Sequence, residues 1–206
     1  MRALLLLLML LPLSLRAQLL DSISLFLGEQ SRFTAGIDTR GSFISNRSVR
    51  MLGVKAGLEH AGRVRYGIGY SFLLTPVERE HNVTGQGTVT TRLRLGYFTP
   101  YFSYTFYQRG HWEVSIPVQL GIGGGSLIYH DADGRKRKLK QAFVFLYEPA
   151  MTVQYRFLKY FAIGGGWGFR LTVTNAELDE SLNAPIYLFG LKVFLGEMIR
   201  EVQGGE

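Results

Sequence analysis

The stretch FAIGGGWGFRLTV, Phe161 to Val173, alternates at period two along its whole length. Its odd positions carry Phe161, Ile163, Gly165, Trp167, Phe169, Leu171 and Val173, and its even positions carry Ala162, Gly164, Gly166, Gly168, Arg170 and Thr172. Successive side chains of a strand point to opposite faces, so one face here is large and apolar and the other small or polar. The triple glycine therefore belongs to a strand. A phosphate-cradling loop needs a helix opening at its glycines, and no helical period follows them.

The same alternation recurs. Tyr66, Ile68, Tyr70 and Phe72 oppose Arg65, Gly67, Gly69 and Ser71, and Trp112, Val114, Ile116 and Val118 oppose Glu113, Ser115, Pro117 and Gln119. It predicts eight strands, over 31–43, 49–60, 63–75, 88–107, 111–129, 140–157, 159–174 and 184–195. Within 88–107 the apolar phase runs through Leu93, Leu95 and Tyr97, then moves to Phe102, Tyr104 and Phe106. That shift predicts a bulge at Pro100. Connections alternate between short turns (HAGR, QRGH, RFLK) and longer loops (LTPVEREHNVTGQGT, HDADGRKRKLK, TNAELDESLNA), with only the first outer connection, ISNRS, brief. This is the layout of an antiparallel up-and-down transmembrane β-barrel, with both termini on the short-turn side.

Alternation alone also fits a soluble secreted ligand-binding barrel, which has an apolar interior. The composition of the polar face favours the inverted arrangement. Arg65, Arg92, Arg94, Glu113, Glu148, Arg156 and Arg170 fall on it, with Arg32, Asp38, Lys55, Glu59 and Lys192, interspersed with glycines. A narrow eight-stranded lumen is just wide enough for side chains, so glycines beside Arg and Glu let long side chains cross and pair inside. These charges are thus expected in the lumen. Tyr107, Trp112, Tyr155 and Tyr160 near the short turns and Phe72, Tyr129 and Phe143 near the loops predict two aromatic belts around a lipid-facing exterior.

The ends fit export. Arg2, the apolar run Ala3–Leu13 and the small Ala17 have the layout of a signal peptide over 1–17, too short to span a bilayer as a helix. The reading continues with a periplasmic segment over 18–30, the barrel over 31–195 and a periplasmic tail over 196–206. The chain has no cysteine, which excludes disulfides, thiolate metal sites and lipid attachment through cysteine.

On strands such as RYGIGYSFLL and FAIGGGWGFRL, a leader ending RAQ, and the last strand PIYLFGLKVFLG, the chain resembles the small eight-stranded outer-membrane barrels of OmpA/OmpX-type architecture, and among them barrel proteins of the Bacteroidota. The resemblance covers essentially the whole mature chain. It implies residence in a Gram-negative outer membrane. Gly190, Val193 and Leu195 are similar to the terminal-strand signal read by the barrel assembly machinery, from which Leu188 and the continuing tail EMIREVQGGE depart. Architecture does not determine function.

The expected role is structural, surface-binding or accessory, without catalysis. Eight strands leave no open pore. None of the four histidines stands at metal-ligand spacing, and no cofactor is expected. The basic segment Arg135, Lys136, Arg137, Lys138 and Lys140 is expected to form an outer loop able to grip phosphates of outer-membrane lipids and lipopolysaccharide. Other envelope proteins are expected partners. Nucleic acid is not, because no aromatics interleave with these cations. The alternative is an acyl-ester lipid-modifying enzyme at the outer rim built on His130. Its nearest serine, Ser126, is expected on the same inward phase, roughly 13 Å away along a strand.

Overall fold

The structure, a computed structural model, describes residues 21–45, 47–83, 87–131, 134–174 and 182–203. The predicted signal peptide, residues of all four outer connections (46, 84–86, 132–133 and 175–181) and the last three residues of the predicted tail lie outside these residues. A short helix, α1, covers 21–27. Ten strands follow: β1 (Ser31–Ile44), β2 (Arg47–His60), β3 (Val64–Leu73), β4 (Val77–Val83), β5 (Gly87–Phe98), β6 (Tyr101–Arg109), β7 (Trp112–His130), β8 (Lys136–Leu158), β9 (Phe161–Thr174) and β10 (Ala184–Val193). The helix α2 (Leu195–Gln203) ends the described chain.

These ten strands make a closed antiparallel barrel with eight walls, because β5 and β6 are one strand and β4 stands above the ring. Phe98 pairs with Tyr70 and Tyr101 with Gly67 in one unbroken register. Thr99, between them, exchanges both backbone hydrogen bonds with Gly69. The bulge expected at Pro100 is thus absent, and the register shift on this strand lies lower, between Thr105 and Tyr107. β4 pairs only with the upper half of β5, from Val77–Leu93 to Val83–Gly87. The ring closes where β10 pairs with β1, from Ala35–Val193 to Gly41–Tyr187.

Phase follows register. The exterior is apolar: Trp167, Tyr187 and Phe189 are each more than half exposed, as are Ile68, Phe98 and Phe143. On β9 the outward apolar positions run from Phe161 to Val173, more than the about 9–11 residues a tilted strand needs to cross a bilayer. The interior is charged below and apolar above. Toward the loops, Ile44, Val49, Met51, Leu93, Leu127 and Val144 form a buried cluster with Leu146 and with Val77 and Leu182 from the loop side. At the opposite end buried Phe194 sits under the guanidinium of Arg156 and the ammonium of Lys192, each 4.2 Å from its ring centre.

The tail is helical rather than an extension of β10. Glu197 on α2 ties it to the barrel through Arg32, at 2.8 Å, and through Arg156. Glu201 accepts hydrogen bonds from Lys159 Nζ and Tyr160 Oη. These donors hold its carboxyl below the ordinary value of 4.5. A carboxylate held below its unfolded value contributes above that value, and the contribution is lost as pH falls through the lowered one. The NMR signal of the Glu201 amide is therefore expected to stay fixed from neutral pH down to the ordinary carboxylate value and to move only on further acidification. In an E201Q variant the acid-dependent movement at position 201, and of the Lys159 and Tyr160 signals that follow it, should be absent.

Candidate functional site

Two ion-pair clusters cross the lumen, and the strand phase places both. In the lower one Lys192 Nζ lies 2.5 Å from Glu59 Oε2 and 3.4 Å from Glu113 Oε2, while Arg65 Nε lies 3.0 Å from Glu59 Oε2. In the upper one Glu148 is the hub. It meets Arg170 Nε at 2.5 Å and Arg40 Nη1 at 2.9 Å. It also accepts from Tyr97 Oη at 3.2 Å and from Gln119 Nε2. Arg40 in turn reaches Asp38 at 2.7 Å and Ser71 Oγ at 3.0 Å, and Lys55 meets Asp38 at 2.8 Å. Arg40, Arg170 and Glu148 are each at most 1% exposed. Charges so deep are tolerable only because each has an opposite partner and further hydrogen bonds.

Between the clusters lies a cavity of about 110 Å³. Lys55, Arg65, Tyr101, Thr152 and Gln154 line it, and Gly36, Gly164 and Gly190 thin its wall. Gln154 Oε1 is buried there without a hydrogen-bond partner among the described residues. The apolar cluster above and Phe194 below bound the lumen at its two ends.

Of the residues expected in the lumen, Asp38, Lys55, Glu59, Arg65, Glu113, Glu148, Arg170 and Lys192 stand inside it, whereas Arg32 is exposed at the short-turn end, paired with Glu197 on α2. Arg156 sits at the short-turn rim, where it donates to the Lys159 carbonyl at 3.0 Å and pairs with Glu197. Arg92 and Arg94 are a correction: both are exposed on the outward phase of β5. Because the register runs unbroken through Pro100, Leu93, Leu95 and Tyr97 share the inward phase with Ser103 and Thr105, all five buried. Sequence reading missed Arg40 and Tyr97. Arg40 was findable, since it is two residues from Asp38 on the same phase.

The basic segment is also corrected. β8 begins at Lys136, so Lys136, Arg137 and Lys138 extend the β7–β8 hairpin beyond the wall, paired with His130, Tyr129 and Ile128, and only Arg135 lies in the turn. Arg137 Nε reaches Asp131 at 3.1 Å, Lys138 Nζ donates to Gln141 at 3.1 Å, and Lys140 pairs with the inward Leu127. The five cations are thus spread over two faces of a ribbon. His130 is exposed at the end of β7. Ser126 faces outward beside Arg94 and Gln141, not inward as expected, and a register shift between Leu127 and Ile128 separates it from His130. No hydrogen bond joins the two, and no cluster of metal-ligating side chains occurs among the described residues.

No protein-family model matches this chain, and no curated protein sequence does. Among solved structures it is similar to Neisserial surface protein A, at 12% identity over 81% of this chain and 99% of that one, with a TM-score of 0.56. Ail of Yersinia pestis follows at 14% identity over 79% and 96%, with a TM-score of 0.47. The N-terminal β-barrel domain of Pseudomonas aeruginosa OprF stands at 13% over 80% and 98%, with 0.44. The first likeness shows the fold: this chain has the eight-walled β-barrel of a small outer-membrane protein.

Proposed function

We propose that this chain is an integral outer-membrane barrel, non-conducting and non-catalytic, that holds loops and a basic hairpin at the cell surface, with its termini in the periplasm. One observation carries the reading: an apolar exterior surrounds a buried set of mutually paired charges. In water that arrangement is inverted; in a bilayer it is the stable one. The apolar cluster toward the loops and Phe194 at the other end support a role without ion flow. The basic hairpin supports contact with phosphates of lipopolysaccharide or with acidic faces of envelope proteins. Insertion by the barrel assembly machinery belongs to the same proposal.

Reconstitution tests it. The chain lacking residues 1–17 is expected to fold into lipid vesicles, to resist extraction by urea and alkali, and to migrate differently in gels before and after heating. Planar bilayers holding it should show no stepwise conductance, and the acyl composition of the lipids should stay unchanged. A chain that folds in buffer without lipid or detergent would make it a soluble ligand-binding barrel instead. Conductance steps would make it a pore, and loss of an acyl chain an enzyme.

A further inference from the structure

Arg92 and Arg94 raise the question the lumen does not answer. Both guanidiniums stand on the outer wall, on the same face of β5, and neither makes a hydrogen bond or ion pair among the described residues. Two residues apart on a strand, they are separated by about 6.7 Å of backbone, so both long side chains can converge on one anion.

The wall beneath them is shaped. Pairing of β3 with β5 stops at Phe72–Gly96, and β4 resumes only at Val77–Leu93. Four residues on one side thus face two on the other. The amides of Leu74 and Thr75 turn away to the Arg50 carbonyl, at 2.9 and 3.3 Å. On its β3 side β5 therefore has no neighbour at Arg94 and Leu95, while β7 stays paired on the other, and an outward groove opens, with a volume of about 430 Å³. Gly96 and Gly124 are paired across β5 and β7; the Tyr70 hydroxyl lies over Gly96, and Gly124 leaves its part of the floor bare. Below it the apolar exterior resumes with Phe98 and Ile122, paired in the next outward rung.

We propose that this groove seats the phosphate-bearing headgroup of a lipid in the outer leaflet, with its acyl chains lying on the Tyr70, Phe98 and Ile122 wall. The proposal rests on the outer-membrane reading above. Charge and polarity together select the ligand. Two cations stand directly above an apolar wall, only Arg92 having an acid (Glu78) as cross-strand neighbour and neither closing an ion pair among the described residues, and they match an amphiphile with an anionic head. A soluble anion would use only the arginines, and a neutral lipid only the wall. The guanidiniums donate to phosphate oxygens, Ser126 and the Tyr70 phenol add hydroxyls, and the bare floor at Gly124 gives the headgroup room.

The test uses the full mature chain folded in dodecyl maltoside micelles and native mass spectrometry with two probes, bisphosphorylated lipid A and the same lipid without phosphates. Wild type should retain the phosphorylated form at least about tenfold better, and R92Q/R94Q should lose that preference. A second variant keeps both arginines. A Cβ at Gly124 would meet only the Ala142 carbonyl, at 3.4 Å, so G124L folds while filling the floor, and it should lose the preference too. Folded wild type without preference for phosphate would overturn the inference and leave the barrel reading intact. So would a preference that survives R92Q/R94Q, or one lost only on R135Q/K136Q/R137Q. A wild-type chain that folds without detergent would overturn both.

Discussion

Replacing Glu148 by glutamine is expected to cost about 3–5 kcal/mol of unfolding free energy, the range for removing one partner of a buried ion pair. Glutamine keeps the size of the side chain but not its charge, and it presents an amide donor where guanidinium donors already point. Arg40 keeps Asp38 as an anion at 2.7 Å. Arg170 is left only with uncharged neighbours: Ser42 Oγ at 3.4 Å, Met51 Sδ at 3.0 Å and Tyr97 Oη at 3.4 Å. The loss therefore concentrates on a fully buried, unneutralised guanidinium. Urea titrations of wild type and E148Q in the same vesicles give the difference. Adding R170M to E148Q should recover much of it, because it removes the one cation left without an anion, while Arg40 and Lys55 continue to share Asp38. An E148Q change below about 0.5 kcal/mol, the level of an ordinary surface substitution, would show that Glu148 does not hold the network.

How far the sequence was legible depended on whether polarity and register agreed. On β9 they did. Arg170 and the even glycines faced in, Trp167 and Phe169 faced out, and the strand was found within two residues of its observed bounds. Across the membrane-spanning height, polar meant lumen, and Arg65, Glu113 and Glu148 were placed correctly by parity alone. On the upper part of β5 the two signals conflict. There the interior is the apolar cluster around Leu93 and Leu95, and the exterior carries Arg92 and Arg94, so polarity reads backwards. Counting parity through Pro100 instead of inserting a bulge would have corrected it, since Ser103 and Thr105 have the same parity as Leu93. Arg40 was legible from Asp38 two residues away. The groove was not: it exists because β3 leaves β5 after Phe72, and no local pattern in LLTPVE announces where a strand changes its neighbour.

The glycines of β9 provide the sharpest test of that parity, and the second large effect. A Cβ added at Gly166 would stand 2.2 Å from the Met151 carbonyl oxygen and 2.9 Å from the Thr152 Cα. These are backbone atoms of β8, held in register with Gly166 by the Thr152–Gly166 rung, so no side chain can swing aside. One residue earlier, a Cβ at Gly165 meets only the Leu188 carbonyl, at 3.5 Å, an ordinary contact on the lipid side. G166A is thus expected to destabilise by about 1–3 kcal/mol through overpacking, with G166V failing to close the barrel. G165A should be neutral or slightly stabilising, since alanine is less costly than glycine in a strand interior. Heat-modifiable migration and urea midpoints of the variants read this directly. A slip of one residue would exchange the two faces and the two sensitivities with them. G165A as damaging as G166A, or G166A without effect, would therefore overturn the inward assignment of Arg170, two rungs of the same phase above.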